Sequence, residues 1–267
     1  MKKQLITTLY ILLVPFFLWC ADLNAPELID NWFAANPRAA DYLSLKNALH
    51  DIQKQTTAHN LPFEFIFNKF LEGVAKNAAA AQVLKVLLEE EQRLEAIVRM
   101  IDKVDAVNRE KNKKPYFQWM QEESLNSSTT DTLTGLIPQA LVFRNRTEII
   151  TQIAIFIRSG ISLTVMEKIF LSAQQQGIPF FLPFYLFSEI IKIPAFSRLT
   201  DREIYRLNDA ILSSSLSPSS YAVIPSLFLK GSRYNLDYPV IVNIIVEKLE
   251  QGGSFIRIEQ EFRRRER

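Results

Sequence analysis

Two histidines and one cysteine supply all the imidazole and thiol groups of this 267-residue chain. A closed zinc site takes about four ligands, drawn mainly from those types. His50 and His59 are nine apart, which puts them on one side of a continuous helix, and Asp51 or Glu64 would have to complete the set. A helix between them passes through Thr56 and Thr57, whose branched side chains weaken it. The pair therefore reads as surface or helix-end histidines. A Ser–His–Asp triad would need one of the same two residues, and no G-x-S-x-G elbow accompanies them. The seven glycines form neither G-x-G-x-x-G nor G-x-x-x-x-G-K-[ST], so no loop is built to cradle phosphate. One cysteine permits no internal disulfide. No cofactor and no metal are indicated.

Glu123 is the sharpest catalytic candidate. Glu123 and Ser124, followed by Asn126 and later by Gly135, Leu136, Ile137, Pro138 and Gln139, look similar to the Glu-Ser motif of lytic transglycosylases. Those are secreted, mostly helical enzymes that cleave peptidoglycan with one catalytic Glu. The resemblance implies a cell-wall lytic enzyme with Glu123 as the acid. The pattern departs from the family: its Gly-Ala-x-Gly-Leu-Met-Gln turn is absent, and the interval from Glu to the Gly-Leu pair is short. The intervening Ser/Thr-rich residues are a poor scaffold for an acid that must be buried to stay protonated near neutrality.

Residues 178–187 are uncharged, and five of these ten are aromatic. The run is too short to span a bilayer. Wound as a helix, it stacks Phe180, Phe184 and Phe187 on one side, with Ile191 a turn further on, while Phe181 and Tyr185 point away. Apolar residues on both sides predict a helix enclosed by others. The alternative is an apolar groove in which Phe180, Phe181, Phe184, Tyr185 and Phe187 hold a lipid or a partner peptide, or a membrane-contacting surface.

Basic residues collect in two places. Residues 257–267 hold five arginines diluted by Glu259, Glu261 and Glu266. They complement a helix dipole or offer a peripheral contact to anionic lipid headgroups or an envelope polymer. Lys111, Lys113 and Lys114 beside Tyr116, Phe117 and Trp119 are a weaker candidate of the same kind. The whole-chain charge of +2 leaves no footprint for nucleic acid.

The segments that must position these residues begin with a leader. Lys2 and Lys3 precede an apolar, uncharged run from Leu5 to Trp19, the layout of a secretory signal over residues 1–20. Cys20 stands where a lipoprotein cysteine would, but bulky Trp19 departs from the small residue a lipobox requires. Cleavage near Cys20 or Ala21 is therefore the expectation, giving a periplasmic or secreted protein. It removes Lys2 and Lys3 and leaves 29 basic against 29 acidic residues. The remaining chain would carry no thiol, which suits an oxidising compartment.

No stretch alternates as a strand does. From Gln82 to Arg109, the residues Val83, Val86, Leu87, Leu94, Ile97, Val98, Ile101 and Val104 fall on one helical face, with Glu89, Glu90, Glu91, Arg93, Glu95 and Lys103 mostly elsewhere. This predicts one long amphipathic helix ending before Pro115. Residues 126–134 read as a linker between helical regions at 21–125 and 135–256, ahead of the basic tail at 257–267. A second polar break covers 213–220.

Three segments share one frame. Asn60 and Leu61, Gly160 and Ile161, and Asn235 and Leu236 each open a helix-like run. The runs reach Asn77, Gly177 and Gly252 after the same interval. Ile66, Met166 and Ile241 coincide, as do Phe70, Phe170 and Ile245, and then Leu71, Leu171 and Val246. Gly or Asn takes the left-handed conformation that ends a helix, and Pro62, Ser162 or Asp237 then starts the next. The expected fold is all-α: an irregular helical bundle or α-solenoid built from short antiparallel helix pairs.

The first unit, with Leu61, Pro62, Lys69, Glu72, Gly73, Ala75, Lys76 and Ala78, resembles a motif of uncharacterised bacterial secreted helical proteins. In these a Leu-Pro opens a helix that ends in Glu-Gly-x-Ala-Lys. The match covers residues 60–88, and Asn77 replaces the usual turn Gly. The resemblance implies a helical extracytoplasmic protein and no activity. With no complete catalytic set, the chain reads as a non-catalytic envelope scaffold or interaction module for a protein or peptide. Its alternatives are a periplasmic carrier of an apolar ligand using residues 180–187, and a lytic enzyme using Glu123.

Overall fold

A computed structural model of the chain describes residues 25–110, 113, 115–117, 143 and 145–265. The leader with Cys20, the acid candidate Glu123, the 126–134 linker, Lys111, Lys114 and Trp119 lie outside the described residues. Among those described, the chain is all-α, with eleven α-helices and no strand. The helices are α1 (Ala25–Ala35), α2 (Lys46–Ala58), α3 (Phe63–Ala75), α4 (Ala80–Arg109), α5 (Arg146–Arg158), α6 (Leu163–Gln175), α7 (Phe181–Ile190), α8 (Asp201–Leu212), α9 (Ile224–Arg233), α10 (Tyr238–Glu250) and α11 (Phe255–Arg265). Short 3-10 segments run over Ala39–Leu45, Phe196–Arg198 and Pro218–Val223. The chain divides into two compact units at Arg93 and Leu94, within α4.

All six marker residues of the repeated frame adopt positive φ: Asn60, Asn77 and Asn235 near 55°, Gly177 and Gly252 near 70°, and Gly160 at 106°. At each, the amide of the following residue donates to the carbonyl five positions back, at 2.7–3.2 Å, and the marker's own amide donates three positions back. These paired bonds are Schellman closures, which satisfy helix-end carbonyls that would otherwise lack donors. Each frame encloses a 13-residue helix: α3, α6 and α10. The coincident residues are core. Ile66, Met166, Ile241, Phe70, Phe170 and Ile245 are fully buried, while Leu71 and Leu171 are half-buried.

In the first unit α1 packs on α2, and α2 on α3. Phe70 is the hub, with the rings of Trp32, Phe33, Tyr42 and Phe67 at 4.6–6.0 Å. Two long side chains close the end of α3: Arg38 Nη1 donates to the Val74 carbonyl at 2.6 Å and the Tyr42 hydroxyl to the Ala78 carbonyl at 2.9 Å. The Glu-Gly-x-Ala-Lys stretch has a physical explanation here. Glu72 bridges Lys69 at 2.7 Å and Lys76 at 2.5 Å, and those hydrogen bonds pull its carboxyl down to about 2. Gly73 lets α4 approach, since a Cβ there would lie 2.7 Å from a Val83 methyl.

Helix α4 matches the predicted amphipathic span, with Val83, Leu87, Leu94, Ile97, Ile101 and Val104 buried. Three positions differ from the expected pattern. Val86 is exposed, whereas Glu90 and Glu91 are buried. Glu90 pairs with Arg93 at 2.5 Å one turn on, which offsets its loss of water.

In the second unit α6, α8 and α10 form one layer, α8 packing against both neighbours. Helices α7, α9 and α11 form the other: α9 packs against α7 and α11, and α7, α9 and α11 respectively touch α8, α10 and α10. Connections of a few residues force successive helices to turn back on one another. Sequence reading finds three framed helices and misses α8, the middle member of this layer. It starts after a 3-10 turn with a Thr200–Glu203 capping box instead of a Schellman closure. It also carries buried Asn208 where the other frames hold Phe or Ile.

Candidate interaction surface

The layer of α6, α8 and α10 is stitched by polar pairs at a constant offset. Ser172 Oγ donates to Asp209 at 2.7 Å, Ser213 Oγ to Gln176 at 3.0 Å, and Arg206 Nη1 to Asn243 Oδ1 at 2.7 Å, each 37 residues apart. Ser162 Oγ donates to Asp201 at 2.7 Å, joining the starts of α6 and α8. Start meets start and end meets end, so these two helices run parallel. Between α8 and α10 lies a groove of about 250 Å³. Val246 and Leu249, both nearly inaccessible, form an apolar floor. Tyr205, Arg206, Asp209, Ser213 and Glu250 form a polar rim.

The rim offers an aromatic ring, a guanidinium and two carboxylates within one groove. Its serine hydroxyls are committed: Ser213 to Gln176, and Ser214 to the Ile211 carbonyl at 2.7 Å. Neither of these two hydroxyls donates to a base. Such a groove lies on a layer of stacked helices, the kind of surface on which helical arrays bind their partners.

No protein-family model matches this chain. Likewise no curated protein and no solved structure matches it at a significant level.

The aromatic candidates are all buried. Phe180 and Phe181 stand at the start of α7, and Phe184, Tyr185 and Phe187 within it. Phe184 is ringed by Phe117, Phe143, Phe156, Phe170 and Phe180 at 4.7–6.4 Å, and Tyr185 meets Tyr221 at 5.7 Å. Burial raises the Tyr185 and Tyr221 phenols, the latter to about 12. Phe180 also borders a depression of about 360 Å³ with Tyr116, Ile178 and Gln174. Tyr116 and Phe117, sequence neighbours of the lysine-rich stretch, point into this core. The Tyr116 hydroxyl donates to the Ile178 carbonyl at 2.8 Å, and buried Asp105 accepts the Phe117 amide at 3.0 Å. Burial raises the Asp105 carboxyl against the lowering pull of that amide.

The histidines lie apart in role. His50 Nε2 sits 3.4 Å from Asp30, which also takes Lys46 at 2.7 Å, and exposed His59 is the C-cap of α2. Among the described residues no group of three or more His, Cys, Asp or Glu is placed to hold a metal ion. No helix among them is long and apolar enough to cross a membrane.

The rim residues Tyr205, Arg206, Asp209 and Glu250 are absent from the sequence-level candidates. The 37-residue offset is the signal that could have found them. It is hidden because α8 lacks the Asn or Gly markers that flag its neighbours.

Proposed function

We propose that this protein is a non-catalytic binding module of the cell envelope, exported by its leader, that holds a protein segment or peptide on the α6–α8–α10 layer. The observation that carries the reading is the groove between α8 and α10. It sets a rim of mixed charge, with the Tyr205 ring, over buried Val246 and Leu249. A stack of helices presents such a surface without further elements, because each added helix repeats the same face. The leader and the Leu-Pro motif of residues 60–88 support an extracytoplasmic setting.

Photo-crosslinking in intact cells tests this. A photoreactive residue in place of Tyr205 should give one discrete adduct in the envelope fraction, and the same residue in place of Lys54 should give none. Ala210→Arg in the Tyr205 background fills the groove and should abolish the adduct. Absence of any adduct at Tyr205, or adducts that ignore Ala210→Arg, would overturn the proposal. A cytosolic location of the protein would do the same.

A further inference from the structure

Helix α11 segregates its charges in a way its composition hides. Ile258 and Phe262 are buried against the unit. On the two flanks, its acids are turned inward and paired. Glu259 takes Lys230 of α9. Glu261 takes Arg265 at 3.1 Å and Lys248 of α10 at 3.8 Å. With one residue every 100°, the remaining outward arc holds Ile256, Arg257, Gln260, Arg263 and Arg264. All five are exposed, and Ile256 is 71% exposed, the highest among the large hydrophobic residues of the described chain. No described carboxylate lies within 4 Å of the Arg257 or Arg264 guanidinium, although Arg264 helps to lower the pKa of Glu261, and Arg263 is steadied by the Tyr234 hydroxyl at 3.2 Å. Arg233, Lys230, Tyr234 and Glu259 line an adjoining depression of about 400 Å³ with Arg263. The outcome is an outward arc of α11 whose described charges are all cationic, with one projecting aliphatic side chain, on a chain whose total charge is only +2.

We infer that the outward face of α11 docks on an anionic phospholipid surface, its arginines on headgroup phosphates and Ile256 in the headgroup–acyl boundary. Charge complementarity selects an anionic partner, since each basic side chain near such a surface adds about a fivefold gain in partition. Ile256 selects a lipid over a soluble polyanion, because an aliphatic chain gains nothing from a hydrated polymer. This surface is separate from the α8–α10 groove. Failure here leaves the binding-module proposal standing, and failure there leaves this one.

Flotation of protein purified from the envelope tests the inference. Vesicles of phosphatidylglycerol mixed into phosphatidylcholine are compared with phosphatidylcholine alone, which cancels any contribution of a retained leader. The phosphatidylglycerol-dependent partition should fall about 25-fold in the Arg257→Gln/Arg264→Gln double variant. It should stay unchanged in Lys54→Gln/Lys168→Gln, two exposed cations outside α11. It should weaken as added salt shortens the screening length. Ile256→Trp should show blue-shifted emission with the anionic vesicles, read as a difference from the parent. Equal loss in both double variants would mean diffuse charge and overturn the inference. So would binding without a blue shift that soluble polyphosphate displaces, or no anionic preference at all. Circular dichroism of each variant confirms that α11 still folds, since its buried contacts are untouched.

Discussion

Asp105 is a carboxylate 4% exposed whose main partner is a backbone amide, and burial raises its pKa. A native carboxyl above its unfolded value holds its proton longer than the unfolded chain does. Its contribution to stability is thus full below about pH 4 and is lost as the pH rises through the native value. Asp105→Asn keeps an oxygen for the Phe117 amide and removes the charge. We expect it to raise stability at pH 7 and to flatten this component, measured by urea unfolding across pH. Asp105→Ala leaves the amide without its partner and should cost about 1–3 kcal/mol. Asn208 makes the opposite case. Its Nδ2 donates to the Ile204 carbonyl at 2.7 Å, while its Oδ1 is buried without a partner. Asn208→Leu matches the apolar residue of the other frames and should raise Tm by about 2–4 °C, for a gain on the order of 1 kcal/mol. Neither burial was legible in the sequence. An Asp or Asn in a helix reads as surface unless the facing helix is known.

At the scale of elements, close approaches between helices fall on glycine. Gly231 in α9 is buried, and a Cβ there would lie 2.6 Å from Ile241 Cδ1 in α10. Gly231→Ala should cost up to about 2 kcal/mol by thermal melting. The overpacking penalty of about 1–3 kcal/mol outweighs the helix-propensity gain of about 1 kcal/mol. The helix ends were the most legible features. Asn or Gly at a fixed interval, followed by Pro, Ser or Asp, predicted the turns because a Schellman closure depends on only six successive residues. Helix α8 escaped since its start uses a 3-10 turn and a capping box, equally local but with different residues. The long helix α4 was predicted to within two residues at its start, yet Glu90 and Glu91 were assigned to the wrong side. Their burial is set by what packs on that face, not by the helical period.

Within the second unit, stability should grade along the stack. Helix α8 packs against α6, α7 and α10, whereas α11 packs mainly against α9 and α10 and turns its arginine face outward. A terminal element in a repeat array loses a neighbour's interface energy and opens first. Hydrogen exchange should therefore be slower in the amides of α8 than in those of α11, with Ile211 among the last to exchange. The reverse order would contradict the two-layer arrangement. The same end position makes the α11 face available for a surface, while the interior pair α8 and α10 bounds the groove.

The amino-acid order alone determined the helical class and the turn positions. Each of those depends on residues within one or two turns of each other: a hydrophobic period, a residue that tolerates positive φ. Only the tertiary structure decided that Phe180, Phe181, Phe184, Tyr185 and Phe187 face other rings, that the acids of α11 point inward, and that α8 completes the layer and bounds the groove. Those outcomes depend on contacts tens of residues apart. A side chain's environment is then supplied by a neighbour in space, which local spacing does not encode.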